Sequence, residues 1–371
     1  MKFLDLFAGI GGFRLGMESA GHECVGFCEI DKYARASYKA IHNTEGEIEL
    51  HDITTVSDES IRGFGSVDVI CGGFPCQAFS IAGHRRGFED TRGTLFFEIC
   101  RFASILRPKY LFLENVRGLL NHDGGATFET IIRTLDGLGY DVEWQVLNSK
   151  NFGVPQNRER VFIIGHLRGQ CTRNVFPLSG ESQSTSNQSV GNGMNGEVYQ
   201  ADGLAPTLTT NKGEGQKIAI KSNTIKQFGV LQPNFNQCGV VYETDGIAPT
   251  IRAYQGGGLE PKIRVKEATK QGYSEAEIGD SVNLSHPNSK TRRGRVGKKI
   301  ANTLLTGESQ GVVEPDFRIR KLTPRECWRL QGFPDWAFDK AQEVNSNSQL
   351  YKQAGNSVTV NVISAIAKEL K

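Results

Sequence analysis

The chain contains, at residues 2–13, the stretch KFLDLFAGIGGF, in which an apolar run leads directly into a glycine-rich turn. This pattern is typical of a β-strand that ends in a tight turn and then continues as a helix. Because glycine lacks a Cβ atom, the backbone N–H groups of such a turn can approach an anionic ligand group closely. The stretch therefore predicts the first strand of an α/β sheet, with a ligand site at the strand's carboxyl end.

The first 167 residues repeat this alternation of strand and helix. Further strands are predicted at ECVGFCEI (23–30), VDVICGG (67–73), PKYLFLENV (108–116), YDVEWQVL (140–147) and ERVFIIGHL (159–167). Apolar residues at three-to-four spacing predict helices in DKYARASYKAIHN (31–43) and GTLFFEICRFASIL (93–106). We therefore predict an α/β fold with a mostly parallel sheet and helices on both faces.

The composition changes after Leu167, where Ser, Asn, Gly and Gln become frequent and predict a linker or an insertion. A repeat follows, because VYQADGLAPTLTT at 198–210 returns as VYETDGIAPTIRA at 241–253. A shorter copy, KIANTLLTG, spans residues 299–307. Repetition of short β units separated by turns predicts a smaller β-rich domain.

The last part of the chain returns to the α/β style. In LTPRECWRLQGFP, Thr323 is placed to cap a helix with Pro324 in its first turn, and Gly332 with Pro334 ends it. The final segment, VTVNVISAIAKELK, is an amphipathic helix that we expect to pack back on the sheet. The predicted division is a first domain at 1–168, a second domain at 169–340 and a returning C-terminal segment at 341–371.

Composition is that of an ordinary globular protein, with 371 residues of which 38% are apolar and 23% charged, and a net charge of +2. No apolar run is long enough to span a membrane and the start is unlike a signal peptide, so we expect a cytoplasmic protein. Eight cysteines are too few for a disulfide scaffold. Cys24 with Cys28, or Cys71 with Cys76, lacks a second pair at zinc-finger spacing, so we predict no metal site.

One local cluster of positive charge stands out in SKTRRGRVGKK at 289–299, which has no acidic residue. It includes Arg292 and Arg293. Such a run can line a phosphate backbone, although charge runs are also common in solvated loops, and the sequence leaves both interpretations open.

The glycine turn departs from the dinucleotide-binding fingerprint. Gly9 and Gly11 match its first two glycines, but Arg14 occupies the place of the third, which disfavours a nicotinamide cofactor. Glu29 and Asp52 lie at the ends of the next two strands, where carboxylates can bind ribose hydroxyls and an adenine amino group, respectively. These positions predict a ligand with one adenosine and an anionic group. The alternative is a tight turn with acidic residues at the surface and no ligand site.

The stretch GGFPCQAFS at 72–80 places Cys76 just after a predicted strand, with its approach fixed by Pro75. The thiol is expected to face the ligand crevice, whereas most cysteines without such context are buried structural residues. A free thiol has a pKa of about 8.5, so a nucleophile needs nearby positive charge, for which the following loop offers arginines.

A glutamate and two arginines are predicted at the same sheet edge. Glu114 ends the apolar strand at 108–116, and an apolar setting raises the pKa of a carboxyl group. Arg158 and Arg160 alternate on one face just before the apolar run VFIIG, so both are placed to reach one site.

Six motifs now carry a resemblance: FAGIGG, PCQ, ENV, QNRERV, LTPRECWRLQGFP and QAGNSVTV. In order and spacing they resemble the motif series of DNA (cytosine-5) methyltransferases of the bacterial restriction-modification or phage type. The match covers the first 167 residues and about the last 50. It implies the Rossmann-like fold of S-adenosylmethionine-dependent methyltransferases, with residues 169–340 as the target-recognition domain. It also implies methyl transfer to C5 of a flipped-out cytosine in a specific duplex sequence.

The resemblance implies roles for individual residues. Cys76 would add to cytosine C6, Glu114 would bind N3 and the exocyclic amine, Arg160 would contact O2, and Arg158 would support the pocket. For the cofactor, S-adenosylmethionine, the implied residues are Phe7, Gly9, Gly11, Glu29, Ile30, Asp52, Pro75, Leu95, Asn356 and Ser357. For DNA contacts and for filling the gap left by the base, they are Ser80, Gln237, Thr250, Tyr254, Arg292 and Arg293.

Several alternatives stay open at this stage. Some members of the resembled family act on transfer RNA, and an inactive DNA-binding relative would keep the fold without the chemistry. A thiol hydrolase or redox enzyme would need a partner for Cys76, such as His84 or Cys71. We expect double-stranded DNA as partner, a monomer, no membrane, and a separate cognate restriction endonuclease if one exists. The recognition sequence and the repeat copy that reads it are not determined.

Overall fold

A computed structural model describes residues 1–75, 95–170, 172–179, 262–286, 289–307, 309–315 and 318–371, and the backbone of four short strands between 188 and 242. The helices are α1 Gly12–Ser19, α2 Lys32–Ile41, α3 Asp58–Arg62, α4 Leu95–Leu106, α5 Ala126–Gly137, α6 Pro324–Leu330, α7 Asp335–Val344, α8 Asn347–Asn356 and α9 Val360–Ala367.

The strands of the first half are β1 Lys2–Leu6, β2 Glu23–Cys28, β3 Ile48–Leu50, β4 Val69–Gly73, β5 Tyr110–Val116, β6 Tyr140–Asn148, β7 Gln156–Asn157 and β8 Glu159–Leu167. The later strands are β9 Gln188–Ser189, β10 Glu197–Val198, β11 Gln227–Val230, β12 Val240–Tyr242, β13 Ile263–Lys266, β14 Tyr273–Ala276, β15 Ser281–Asn283, β16 Val296–Gly297, β17 Ala301–Asn302, β18 Gln310–Val313 and β19 Ile319–Lys321.

The main sheet has the strand order β3-β2-β1-β4-β5-β8-β6. The first five strands are parallel, and β8 runs antiparallel between β5 and β6. The predicted mostly parallel sheet is therefore confirmed, and all six strands inferred from apolar runs are present. The strand expected before Asp52 is β3, which is only three residues long and was not delimited by an apolar run.

Helices cover both faces of this sheet, as predicted, because successive strand residues point to opposite sides. Leu4 and Ile70 belong to the core on the side of α4 and α5. Phe3 and Val69, one position away, belong to the core on the side of α1 and α9. The two apolar layers fix the strand register and so fix which side chains emerge at the strand ends.

The chain divides into two compact units, Met1–Gly180 with Thr303–Glu308 and Thr323–Lys371, and Glu181–Asn302 with Ser309–Leu322. The second domain was predicted to extend to residue 340, whereas residues 323–340 fold with the first unit. The reason is the buried Trp328 of α6, whose ring packs 5.1 Å from that of Phe333 and whose indole N–H donates to the Leu350 carbonyl over 3.0 Å. Tight packing inside the C-terminal helices therefore outweighs proximity in sequence to the repeat region.

Helix α6 begins as its sequence predicts. Thr323 and Glu326 form a reciprocal capping box, and Pro324 occupies the first helical turn. Gly332 follows the helix with φ of 77°, a conformation that favours glycine.

The second unit is β-rich, with the antiparallel order β16-β15-β18-β19 and a separate β13–β14 hairpin in its described part. Its described core is small and consists of Val265, Ala276, Val282 and Val313. Among the residues described for the whole chain, no helix has the length and apolar character needed to cross a membrane.

Candidate functional site

The carboxyl ends of the parallel strands meet along one edge of the sheet. Leu6 of β1 lies opposite both Cys28 of β2 and Gly72 of β4, and Gly73 lies opposite Glu114 of β5. The residues that follow these strand positions therefore line a common crevice, as expected for ligand sites in open α/β sheets.

The glycine turn after β1 is held in shape by a half-buried carboxylate. Phe7, Gly9 and Gly11 have φ of 55°, 56° and 85°, so the chain is left-handed at three points of one short turn. Glu29 accepts hydrogen bonds from the N–H groups of Gly9 and Asp31, each over 2.8 Å. Burial raises the pKa of Glu29, and the two N–H donors oppose that rise. Glu29 thus links the turn to the end of β2.

The surface beside this turn combines apolar and acidic groups. Ile30 is 68% exposed although its side chain is apolar. Phe7 is half-buried, with its Cδ2 atom 3.6 Å from the position of a Cβ atom added at Gly72, and a Cβ atom added at Gly9 would meet only open space. Asp52 accepts hydrogen bonds from the N–H and hydroxyl of Thr54, which lower the pKa of Asp52. Exposed apolar side chains for a purine and carboxylates for hydroxyl and amino groups fit an adenosyl ligand.

The C-terminal segment of the first unit lies against the glycine turn. A Cβ atom added at Gly12 would lie 2.9 Å from the Ser357 hydroxyl and 2.8 Å from Val358 Cγ2, so the space beside Gly12 is filled by Ser357 and Val358. Ser357 is buried and Asn356, at the end of α8, is exposed. Pro75 is exposed after β4, and Leu95 is half-buried at the start of α4.

An ion pair between the buried Glu114 and the half-buried Arg160 lies at the other end of the crevice. Arg160 Nε is 2.9 Å from Glu114 Oε1, because the antiparallel pairing of β5 and β8 places Val116 opposite Arg160. A Cβ atom at Gly73 would lie 3.1 Å from Glu114 Oε2, so the carboxylate reaches the end of β4. Burial raises the pKa of Glu114, and the charges of Arg160 and Arg158 oppose this rise.

Arg158 lies behind this pair and is bound by neutral oxygens. Its Nη2 donates to the carbonyls of Ser357 (2.8 Å) and Gly355 (3.1 Å), and its Nη1 donates to the carbonyl of Leu304 (3.4 Å). Burial lowers the pKa of Arg158, as does the like charge of Arg160. Of the two arginines predicted to reach the site, only Arg160 pairs directly with the carboxylate, while Arg158 holds the surrounding backbone.

Asn115 connects the carboxylate strand to the segment that leads to Cys76. Its side-chain amide donates to the Phe74 carbonyl over 2.8 Å. The sequence motif ENV contains this residue, but its role was not predicted. Cys76, like the predicted DNA contacts Ser80, Gln237, Thr250 and Tyr254, lies outside the described residues.

The shortest copy of the repeat contacts this site. Within Thr303–Glu308, which belongs to the first unit, the Leu304 N–H donates to Gln156 Oε1 over 3.1 Å and the Thr303 hydroxyl donates to the Asn157 carbonyl over 2.7 Å. Gln156 is fully buried and also donates to the Leu330 carbonyl. The sequence did not predict this contact. The repeat at 299–307 was the one feature of the sequence that marked the segment.

The basic run at 289–299 is only partly available to a ligand. Arg295 is buried and donates to the carbonyls of Asn283 and Lys266. Lys298 is paired with Asp280 over 2.8 Å. Arg293 is exposed and Arg292 half-buried, so these two of the predicted DNA contacts lie at the surface of the second unit.

The other cysteines with described positions are core residues. Cys24, Cys28 and Cys71 are buried, and burial raises the pKa of Cys24 and Cys28 to about 12. Cys71 is therefore a poor partner for a redox reaction at the crevice. In the part of the chain that the structure describes, no group of three or more His, Cys, Asp or Glu residues could hold a metal ion.

Comparison with known proteins gives matches along the whole chain. A model of the family "C-5 cytosine-specific DNA methylase" matches residues 1–371. The orphan methyltransferase M.SPRI of Bacillus phage SPR is 34% identical over 456 residues, covering 100% of this chain and 97% of the relative. The type II methyltransferase M.HhaI of Haemophilus parahaemolyticus is 34% identical over 372 residues, covering 99% and 93%.

Solved structures share the fold at low sequence identity. A putative DNA modification methyltransferase from an E. coli prophage has a TM-score of 0.55 at 22% identity, over 100% of this chain and 98% of that one. The S. pombe Dnmt2 methyltransferase has a TM-score of 0.51 at 18% identity, over 98% and 96%.

Proposed function

The chain belongs to the C-5 cytosine-specific DNA methylase family, and on that premise we propose the reaction, cofactor and residues that follow. The protein transfers a methyl group from S-adenosylmethionine to C5 of a cytosine flipped out of a specific duplex sequence. The observation that supports this most directly is the buried Glu114–Arg160 pair beside Gly73, three residues before Cys76.

Cys76 is the proposed nucleophile. Cytosine C5 is a weak nucleophile, and addition of the Cys76 thiolate to C6 forms an S–C6 bond and moves the C5–C6 π electrons toward C5. Glu114 in its protonated form donates to N3, and its other oxygen accepts from the exocyclic amine. Arg160 contacts O2. Together these contacts stabilise the charge that develops on the ring.

S-adenosylmethionine, when bound, supplies the electrophilic methyl group that C5 attacks. Loss of the C5 proton to a base then returns an electron pair to the ring, and the S–C6 bond breaks to release the thiolate. Arg158 does not touch the base in this scheme. It holds two segments in place behind the Glu114–Arg160 pair by donating to the carbonyls of Gly355 and Ser357 in one and of Leu304 in the other.

The proposed cofactor site follows the glycine turn and its neighbours. Glu29 binds ribose hydroxyls with the lone pairs that its two backbone contacts leave, and Asp52 accepts from the adenine amine. Phe7 and Ile30 cover the purine. The remaining proposed contacts are Gly9, Gly11, Pro75, Leu95, Asn356 and Ser357.

For DNA, we propose contacts by Ser80, Thr250, Tyr254, Arg292 and Arg293, with Gln237 filling the space left by the flipped base. Phosphate contacts fix the register of the protein on the duplex and carry no sequence information themselves. Residues 169–340 contain the target-recognition elements, except where segments fold with the first unit. The protein acts as a monomer, and any cognate restriction endonuclease acts separately.

The test is transfer of labelled methyl groups from S-adenosylmethionine to duplex DNA and to transfer RNA. We expect label on DNA with the wild type and none with Cys76→Ser. The matched control, Cys327→Ser, removes a buried thiol of α6 and should keep transfer. Label on RNA alone would replace the DNA proposal, and transfer by Cys76→Ser at the wild-type rate would contradict the thiolate mechanism.

A further inference from the structure

Arg14, which stands where a dinucleotide site has its third glycine, has its guanidinium bound by other groups of the protein, including Glu18 of the same helix over 2.7 Å. Its side chain is almost fully buried, and its Nη1 and Nη2 each bind one oxygen of Glu47, over 2.7 and 2.8 Å. Nη2 also donates to the Asn43 carbonyl over 2.8 Å. The guanidinium therefore ties helix α1, which follows the glycine turn, to the segment that follows α2.

His42, on that segment, lies directly beneath the turn. It is 7% exposed, and its Nε2 lies 3.4 Å from the Ile10 carbonyl oxygen. A Cβ atom added at Gly11 would lie 2.0 Å from the same nitrogen. The imidazole thus occupies the space that the missing side chain of Gly11 leaves.

The imidazole has little room to retreat. Its ring centroid is 4.7 Å from that of Tyr38, which in turn stacks on Phe27 at 4.2 Å. The Tyr38 hydroxyl donates to the buried carboxyl of Asp5 on β1 over 3.3 Å. The support under Gly11 is therefore continuous with the core of the sheet.

We propose that His42 and Arg14 are positioning residues that hold the glycine turn in its cofactor-receiving shape, His42 by contact with Ile10 and Gly11, and Arg14 by anchoring the segment that carries His42. This inference rests on the proposed function of the turn. A turn with three left-handed residues has competing conformations, and a ligand that must first select one of them binds more weakly.

The first experiment measures S-adenosylmethionine binding by calorimetry on the full chain without DNA. We expect His42→Ala to weaken binding about tenfold. Without the imidazole the turn is no longer held in one conformation, so the cofactor must order it on binding. We expect kcat at saturating cofactor to change less than about twofold, because the Glu114 end of the crevice is untouched. His42→Gln keeps a side-chain donor for the Ile10 carbonyl and should retain most of the affinity. Ile131→Val, a core change under the opposite face, is the control for general destabilisation.

A double-mutant cycle tests the steric part of the inference. Gly11→Ala in the wild type brings a methyl group against the imidazole, and we expect a loss of affinity of about a hundredfold or more. In the His42→Ala background the clash is absent and the same substitution should cost less than about tenfold. The strain of φ at 85° is common to both backgrounds and cancels.

The outcomes separate the two proposals. A wild type that binds no S-adenosylmethionine would overturn the proposed cofactor site. A wild type that binds, with unchanged affinity in folded His42→Ala and an equal Gly11→Ala penalty in both backgrounds, would overturn the positioning role alone. Arg14→Lys, which keeps the charge but not the two-pronged contact with Glu47, should bind with intermediate affinity, and wild-type affinity would contradict the part assigned to Arg14.

Discussion

The glycine turn and the Glu114 end of the crevice lie on one sheet edge but are built differently. The turn is shaped by backbone conformation, with left-handed residues at three positions and close contacts against His42 and Ser357. The Glu114 end is built from charges, with Arg160 paired to the carboxylate and Arg158 bound by backbone carbonyls. The shape of the glycine turn is therefore determined by steric contacts, and that of the Glu114 end by the pairing of charged groups.

This difference predicts that the two ends fail in different ways. Added volume should damage the turn, where Gly11 and Gly12 lie against His42 and Ser357. At the Glu114 end, a change of charge in an isosteric side chain should damage catalysis while the fold and cofactor binding persist. The following predictions separate these modes of failure.

The largest effect is expected for Glu114→Gln. The amide keeps the shape but is a weaker hydrogen-bond donor to N3 than the protonated carboxyl group, and in the free enzyme it leaves Arg160 without its counter-charge, so we expect kcat to fall by about 10²- to 10³-fold. Because burial raises the pKa of Glu114 and the protonated form is the proposed donor, wild-type kcat/KM should decline as pH rises through that pKa. Steady-state methyl transfer measured across pH checks both expectations.

Glu159→Gln is the matched control, because Glu159 lies next to Arg160 but pairs with Arg117 at the surface. It should keep kcat within about twofold, since exposed ion pairs contribute little. Equal losses of kcat in the two variants would show that the total negative charge near Arg160, and not the pair with Glu114, determines catalysis.

The next effect is expected for Gly355→Ala, which tests whether volume also matters at the Glu114 end. A Cβ atom there would lie 2.3 Å from the Leu305 carbonyl oxygen, so the Leu304–Thr306 backbone must move and Arg158 loses contacts. We expect a loss of about 1–3 kcal/mol in the free energy of unfolding, the usual range for overpacking. Thermal and denaturant unfolding measure it.

Gly137→Ala provides the comparison, because a Cβ atom at this position of α5 would meet nothing within 4 Å. It should leave stability unchanged or raise it by about 0.5–1 kcal/mol, since alanine is the better helix former. If Gly355→Ala were equally harmless, this result would contradict the close contact between the Leu305 carbonyl and Gly355 of α8.

The smallest effect concerns pH and the turn. Burial, followed by the charge of Arg14, lowers the pKa of His42 to about 3. Below its ordinary pKa of about 6.5, the unfolded chain binds a proton at this residue and the folded chain does not. Stability should therefore fall as pH decreases below that value, with a slope approaching about 1.4 kcal/mol per pH unit. His42→Gln removes this contribution.

Denaturant unfolding at pH 7 and pH 5 checks this prediction. Because other titrating groups act alike in both proteins, the wild type should lose more stability than His42→Gln on acidification. Parallel losses would mean that His42 is not held neutral beneath the turn.

The sequence by itself determined the sheet and which acidic residues lie along one of its edges. Apolar runs located the six predicted strands, because burial of both sheet faces requires continuous apolar segments. Glu29 and Glu114 were placed at one edge because they end such runs, and the motif order identified the family. The capping residues of α6 were equally local, since a capping box involves only Thr323 and its near neighbours.

Only the tertiary structure decided how distant segments combine. The pairing of β5 with β8 gave Arg160 to Glu114 and left Arg158 to the carbonyls, although both arginines share one sequence motif. Arg295 belongs to the basic run at 289–299, yet its neighbours in the second unit bury it. His42 carries no motif, and its place under Gly11 depends on α2 packing against the sheet. Such contacts join residues far apart in the chain, so they follow from strand register and packing and not from local pattern.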